Sequence, residues 1–336
     1  MAAPLAPCSH CCHGRRQGHD GYQHRRADGR NAEPGRGCRM IIQQLLNGLI
    51  VGGVYALFAI GFTLVFGIHQ VLNLAHGAVF MTGAFIALYS VLGGWPLWAG
   101  FLLAMLGSGL LSVLIEFGAF RKLRKSGPLE LEFGAIITSI GAGLAIMAVA
   151  QKISNTQIMR FPFETMPVVI FEFFGLRVSA LQLIMAACAA ILVVGITAYL
   201  YRTAFGRQVR AVAGNERAAT LVGVNPNFVY FQTFFMSGAL AGAAGVLVGL
   251  AFNSIHFVMG EPYLLRGFVV VILGGLGSIP GALLAGLLLG MMQTLTVAFL
   301  PSGLTDTIIF SLLFLILLFR PHGLLGKPEA GAMRGR

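Results

Sequence analysis

Residues 202–226 read RTAFGRQVRAVAGNERAATLVGVNP, a polar, basic island in a chain that is otherwise almost continuously apolar. Arg202, Arg207, Arg210 and Arg217 stand against the single acid Glu216. Ala211, Ala218, Leu221 and Val222 recur at spacings that put them near one face of a short helix. Gly223 suits a helix end, and Pro226 forbids continuation into the next element. The island therefore lies between two membrane spans. One reading makes it a short amphipathic helix with a basic rim that docks into a groove on a cytoplasmic partner. The other makes it a solvated loop that fixes topology.

The composition around the island sets the class. The chain is 57% hydrophobic and 10% charged, and its mean hydropathy is +0.81. Soluble domains carry about 25% charge, so this is an integral membrane protein. The 45 glycines fit close helix contact and local helix breaks in lipid. The net charge of +11 is unevenly placed, with clusters at Arg121-Lys-Leu-Arg-Lys125, in the island and after Arg320. That is the positive-inside pattern, and it calls for no nucleic acid.

Outward from the island, the apolar runs predict spans near 41–67, 71–92, 97–120, 134–151, 179–201, 227–251, 264–275, 279–299 and 305–319, where a full crossing takes about 20 residues. The run at 264–275 is short for a crossing. It is a half-helix paired with the following Gly-rich turn, or it extends back to Pro262. With the basic segments cytoplasmic, nine crossings put the N-terminus outside. A re-entrant element around 68–78 leaves eight and puts it inside. The expected fold is an all-α polytopic membrane protein of eight or nine helices. A short extracellular β-like hairpin joins them, because β-branched and aromatic residues flank Gly175 within 166–178. That hairpin, with Glu164 and Glu172, is either a landing surface for a binding protein or a packed plug.

Residues 1–39 read differently. They are rich in Arg, Gly, His and Pro, have no apolar period and carry Cys8, Cys11, Cys12 and Cys38. Cys8, Cys11, Cys12, His10 and His13 lack a second ligand pair at zinc-finger distance, so no metal is expected. No apolar core of a secretory signal is present. The expected division is a disordered or non-native extension at 1–39, a transmembrane domain at 40–328 and a cytoplasmic tail at 329–336, with Met40 as the native start. Cys188 reads as a small buried apolar residue in a span.

No catalytic set appears. The chain lacks G-x-x-x-x-G-K-[ST], H-E-x-x-H and G-x-S-x-G, so ATP hydrolysis in this chain is excluded and no cofactor is expected. Ion-coupled carriers keep ionisable groups at bilayer depth, and the candidates are His76, His256 and Arg266. Asn73 and His76 sit three apart beside Gly77, which permits a break. They line a substrate pathway, or they hold two helices together by a hydrogen bond. Gly274, Gly275, Gly277, Pro280 and Gly281 read as a tight turn between packed helices, with Ser278 as a cap. Ala282, Gly286 and Gly290 continue a stripe of small residues for packing against a neighbour in this chain or a partner.

Four stretches together resemble ABC-importer permeases of the high-affinity branched-chain amino acid (LivH) type. They are Gln44-Leu-Leu-Asn-Gly48 with Tyr55-Ala-Leu57; Asn73-Leu-Ala-His-Gly77; Arg210-Ala-Val-Ala213 followed by Asn215, Ala218-Ala219 and Leu221-Val-Gly223-Val224; and Gly274-Gly-Leu-Gly-Ser-Ile-Pro-Gly-Ala282, ending in Gly323-Leu-Leu-Gly326. The match covers about residues 40–328 in the family's order, and Gly214 departs from the polar or acidic residue relatives often carry. The resemblance implies a bacterial inner-membrane permease subunit for branched-chain or other neutral amino acids, or for amides or urea. It also implies a second related permease, two cytoplasmic ATPase subunits and an extracytoplasmic binding protein. Arg207, Arg210, Asn215, Ala218, Ala219, Leu221 and Gly223 would form the ATPase-coupling loop. The rival reading is an ion-coupled secondary transporter of small polar solutes.

Deletion of residues 1–39 is expected to retain expression and uptake. Loss of membrane insertion in the truncated chain would refute that division.

Overall fold

The computed structural model describes residues 36–123, 128–162, 169–173, 176–320 and 323–326. Two compact units divide the chain, Met1–Gly37 and Cys38–Arg336, and the fold that follows is that of the second. The Cys/His cluster at 8–13, Glu164 and the tail 329–336 lie outside the described residues.

The first helix, α1 (Arg36–His69), runs on without a turn signal. Then come α2 (His76–Leu92), α3 (Leu97–Ile115), a π-helical turn (Glu116–Phe120) and the short α4 (Arg121–Leu123). Next is α5 (Pro128–Ser154), then the two strands β1 (Ile170–Phe173) and β2 (Leu176–Ser179). The second half holds α6 (Ala180–Arg202), α7 (Ala204–Gly214), α8 (Glu216–Leu221) and α9 (Pro226–Phe252). It ends with α10 (Gly260–Gly274), α11 (Ile279–Phe299) and α12 (Thr305–Phe319). Among the described residues six helices are long and apolar enough to cross a membrane: Met40–His69, Leu97–Phe120, Phe133–Ser154, Ala180–Arg202, Pro226–Phe252 and Ile279–Phe299. His76–Leu92 and Thr305–Phe319 are shorter apolar helices. The 17 residues of α2 reach about 25 Å, less than the roughly 30 Å hydrocarbon core.

The expected span at 71–92 is thus a helix only from His76. Gln70 turns left-handed at φ 52°, and residues 70–75 leave the helix. The region 264–275 extends back through Pro262 to Gly260, one of its two expected forms. A break in lipid must find partners for its backbone groups, and each break here does. Asn73 Oδ1 accepts from Ala75 N at 3.2 Å, and Ser139 Oγ on α5 accepts from Leu74 N at 3.2 Å. After α9, Asn253 is left-handed at φ 43° and its Oδ1 accepts from Phe161 N at 2.8 Å. Ile255 and Met159 exchange both backbone hydrogen bonds at 2.9 Å.

The two breaks are copies of each other. Gln70 and Asn253, both left-handed, are 183 residues apart, as are Gly77 and Gly260, and Gly94 and Gly277, both at positive φ. The helix series α1–α2–α3 therefore matches α9–α10–α11. The two series run in opposite senses. The start of α1 lies by the hairpin, where Gln43 bonds the Arg177 backbone, and its end lies at the start of α9, where His69 stacks on Tyr230 at 4.3 Å. This is an inverted repeat, and the sequence reading did not find it.

Packing follows from small residues. Most of α9 is buried, and Ser237 Oγ donates to Gly61 O at 2.7 Å. The small-residue stripe of α11 finds its neighbour within the chain: a Cβ on Gly286 would stand 2.6 Å from Ala56 Cα, and Gly290 lies against Gly52. By contrast α5, α6, α11 and α12 turn Ile137, Ile191, Val194, Leu284 and Phe314 outward. The hairpin pairs antiparallel, with Glu172 opposite Arg177 and an ion pair of 3.0 Å between them.

Replacing Gly286 with Val would drive two γ-methyls into the α1 backbone. Overpacking of this kind costs about 1–3 kcal/mol or more. The variant is expected to lose thermal stability in detergent, measured by size-exclusion recovery after heating, and unchanged recovery would contradict the packing described.

Candidate functional site

Two regions carry the polar features: the meeting of the breaks, and the basic island.

At the breaks, the N-termini of α2 and α10 meet about midway along α1. Gly77 and Gly260 lie backbone to backbone: a Cβ on Gly77 would stand 2.8 Å from Gly260 O, and one on Gly260 would clash with Gly77 O. Beyond the crossing Phe80 stacks on Tyr263 at 5.0 Å, the same position in each repeat. A cavity of about 190 Å³ opens beside the crossing toward α5. Its walls are Leu74, Gly77, Ala78 and Met81, then Ile140, Gly143, Leu144 and Met147, then Phe257, Gly260, Glu261 and Leu264.

The proposed polar pair does not sit on one helix face. Asn73 lies in the break and is 3% exposed; its Oδ1 is used by Ala75 N, and its Nδ2 is buried without a partner among the described residues. His76 is 1% exposed, and its ring lies between Phe58 at 4.7 Å and Phe62 at 5.6 Å. Its Nε2 is 3.4 Å from Phe58 O, and Gly61 leaves room for the ring. Gly77 serves the close approach to Gly260 rather than the break itself. Of these three residues only Gly77 lines the cavity.

A further polar group joins four helices. Arg266 Nη2 and Nε donate to Asp306 Oδ1 at 2.8 and 3.2 Å, and Nη1 donates to the Tyr55 hydroxyl at 3.0 Å. Tyr55 in turn donates to Gln293 Oε1 at 2.6 Å. The 40-residue separation of Arg266 and Asp306 hid the pair from the sequence. Deep charges in a membrane protein are paired in this way.

The island forms two helices rather than one, because Asn215 is extended and restarts the chain. Asn215 Oδ1 accepts from Ala218 N at 3.0 Å and Thr203 Oγ1 from Gly206 N at 3.5 Å, both N-caps. Gly223, at φ 87°, closes α8 with a Val224 N to Ala219 O bond of 3.0 Å. The break rotates the side chains. Ala219 is 3% exposed and faces the protein, whereas Leu221 and Val222 are 89% and 78% exposed. Arg210 is not a free rim residue: its Nη1 donates to Leu200 O at 2.8 Å, and its guanidinium lies 5.8 Å over the Tyr201 ring. Arg207, Arg217 and Ala218 are exposed.

The glycine turn lies between the end of α10 at Gly274 and the start of α11 at Ile279. Ser278 Oγ accepts from Gly281 N at 3.3 Å and caps α11, Pro280 sits in the first turn, and Gly275 and Gly277 adopt positive φ. Gly274 lies against Gly281, and Leu324 N donates to Leu273 O at 2.8 Å, binding the C-terminal motif to the turn.

The family model described as branched-chain amino acid transport system / permease component matches residues 44–319. The BraD high-affinity branched-chain amino acid permease protein of Pseudomonas aeruginosa is 34% identical over 86% of this chain and 96% of its own length. The LivH protein of Escherichia coli K12 shows the same identity and coverage. A LivH protein of Methanocaldococcus jannaschii is 28% identical over 86% of this chain and 93% of its own.

Replacing His76 by Ala would empty a ring-sized space between Phe58 and Phe62. Truncations of this size cost about 2–5 kcal/mol. Folded yield and activity are therefore expected to fall together. A fall in activity at full yield would mean that His76 acts on a transported solute instead.

Proposed function

The chain belongs to the permease components of branched-chain amino acid transport systems, and on that premise we propose that it moves branched-chain or other neutral amino acids by ATP-driven alternating access. It is a multi-pass inner-membrane transport subunit. Family membership favours this reading over an ion-coupled secondary carrier. The full assembly would add a second related permease, two cytoplasmic ATPase subunits that hydrolyse the ATP, and an extracytoplasmic binding protein.

We count nine membrane-crossing elements. Two of them are broken: residues 70–75 followed by α2, and residues 253–259 followed by α10. With the basic island cytoplasmic, the start of α1 and the hairpin fall outside. The hairpin, with its Glu172–Arg177 pair, is then available to the binding protein.

One observation carries the coupling role. Leu221 and Val222 form an apolar tip that projects from the island and is left open by the described residues. A solvated topological loop has no reason to present two such side chains together, whereas a helix that docks in a groove does. Ala218 stands one turn back on the same exposed side, with Arg207 and Arg217 as the charged rim. Arg210 ties α7 to the end of α6, so a push on α8 reaches a membrane helix.

Ala218→Glu would bring an unpaired charge into the groove, and burying one costs several kcal/mol. About 4 kcal/mol is roughly a thousandfold in affinity. The variant is expected to insert normally, because the spans are untouched, and to lose the ATPase subunits on purification in detergent. Undiminished co-purification and uptake would leave the island a topological anchor.

A further inference from the structure

A helix turned to hydrocarbon keeps polar groups off its outer face, or bonds its hydroxyls back to its own backbone. The outward strips of α6 and α11 obey the first rule. Ile184, Ile191 and Val194 on α6, and Leu284, Leu288 and Val297 on α11, are exposed with no polar residue among them. Thr82, Ser90, Thr294 and Thr296 obey the second, each donating to a carbonyl one turn back. The outward strip of α12 breaks both rules in its first two turns. It opens with Asp306, Thr307 and Ser311, and continues as Phe314, Leu315 and Leu318. Among the described residues neither the Thr307 nor the Ser311 hydroxyl has a hydrogen-bond partner.

These groups lie below the membrane surface. α12 has 15 residues, about 22 Å of helix, and it ends at the basic Arg320, on the cytoplasmic side. Measured up from there, its whole length falls within a hydrocarbon core of roughly 30 Å. Asp306 is also tied to the middle of the bundle. Arg266 bonds both it and Tyr55, which stands midway along the Met40–His69 span. Yet the Asp306 side chain is 61% exposed, against 17% for Arg266. A carboxylate so open at this depth is stable in water and costly in lipid.

We propose that the first two turns of α12 line a water-filled route entered from the outer side, and that Asp306 is the charge this wall presents to the solute. Arg266 is a positioning residue. It holds the carboxylate at the wall, and the Tyr55 hydroxyl, itself bonded to Gln293, holds Arg266. Below Ser311 the strip is apolar, and there the water ends. The proposal rests on the transport reading above and adds to it the wall along which the solute moves. Water at that wall is measurable whether or not the solute is known.

The test uses the assembled transporter in sealed right-side-out vesicles. Charged methanethiosulfonate reagents are added outside, and labelling is read residue by residue by mass spectrometry. Thr307→Cys and Ser311→Cys are compared with Ile191→Cys and Leu288→Cys on the lipid strips. Both α12 cysteines are expected to react about tenfold faster than the controls or more, because the thiolate that reacts forms in water. At residue 307 the cationic ammonium reagent is expected to outrun the anionic sulfonate. Adding Asp306→Asn is expected to lower that ratio by about threefold or more. Leucine uptake by the native chain, with the binding protein outside, checks the transport reading separately. If uptake is absent, that reading fails while the labelling still stands. If residues 307 and 311 react no faster than the controls, α12 is sealed by lipid or by a partner helix, and the proposal is overturned. A ratio unmoved by Asp306→Asn overturns the role given to Asp306.

Discussion

The contact between the Gly77 and Gly260 backbones is the constraint on which the rest depends. Two helix starts cannot meet this closely if either carries a Cβ. Their meeting requires both flanking helices to stop early, after His69 and after Phe252. Each stop exposes backbone groups that lipid cannot satisfy, and the neighbouring segments are drawn in to serve them. Ser139 brings α5 to the first break. Asn253 and Ile255 hold the segment around Met159 and Phe161 at the second. The positions of α5 and of the outer loop are thus consequences of a glycine contact far from either in sequence.

The bundle around that contact is held mainly by shape. Burial against lipid gives little drive for helix association, so close van der Waals contact and interhelical hydrogen bonds must supply it. The buried α9 supplies both, through its small residues and the Ser237–Gly61 bond. The glycine stripe of α11 does the same against α1. The Arg266–Asp306–Tyr55–Gln293 group is different in kind. It links α10, α12, α1 and α11 by charge and hydrogen bonds, and Asp306 is largely exposed. An ion pair with one open partner is easier to break than a packed glycine seam.

Much of this was legible in the sequence, and the reasons are local. Pro226 and Ser278–Pro280 marked helix starts because caps and ring geometry act within one turn. The hairpin announced itself by β-branched and aromatic residues around Gly175. The island stood out by charge. The breaks did not, because Val71, Leu72 and Leu74, or Ile255, Phe257 and Val258, keep the chain as apolar as a helix would. Only Gln70 and Asn253 reverse their φ, and neither residue type is decisive. The inverted repeat was hidden for a related reason: what it preserves is a left-handed residue, a glycine and an aromatic ring at fixed steps. Within the island, Ala219 was placed in the coupling loop by the family resemblance and not by the helical spacing. The extended Asn215 starts a second helix, and Ala219 turns inward.

The crossing and the island are joined by α1 and α9. α1 carries Gly61 and Phe58 at the crossing, and His69 at its far end against Tyr230 of α9. Tyr230 stands four residues after Pro226, the last residue of the island. On the other side Arg210 and Thr203 bind the last turn of α6, and Gln232 of α9 donates to the Tyr199 hydroxyl on the same helix at 2.6 Å. A displacement of α8 therefore acts on the ends of α6 and α9 together. α9 continues without a break to the level of Gly61, where Ser237 donates to the Gly61 carbonyl of α1.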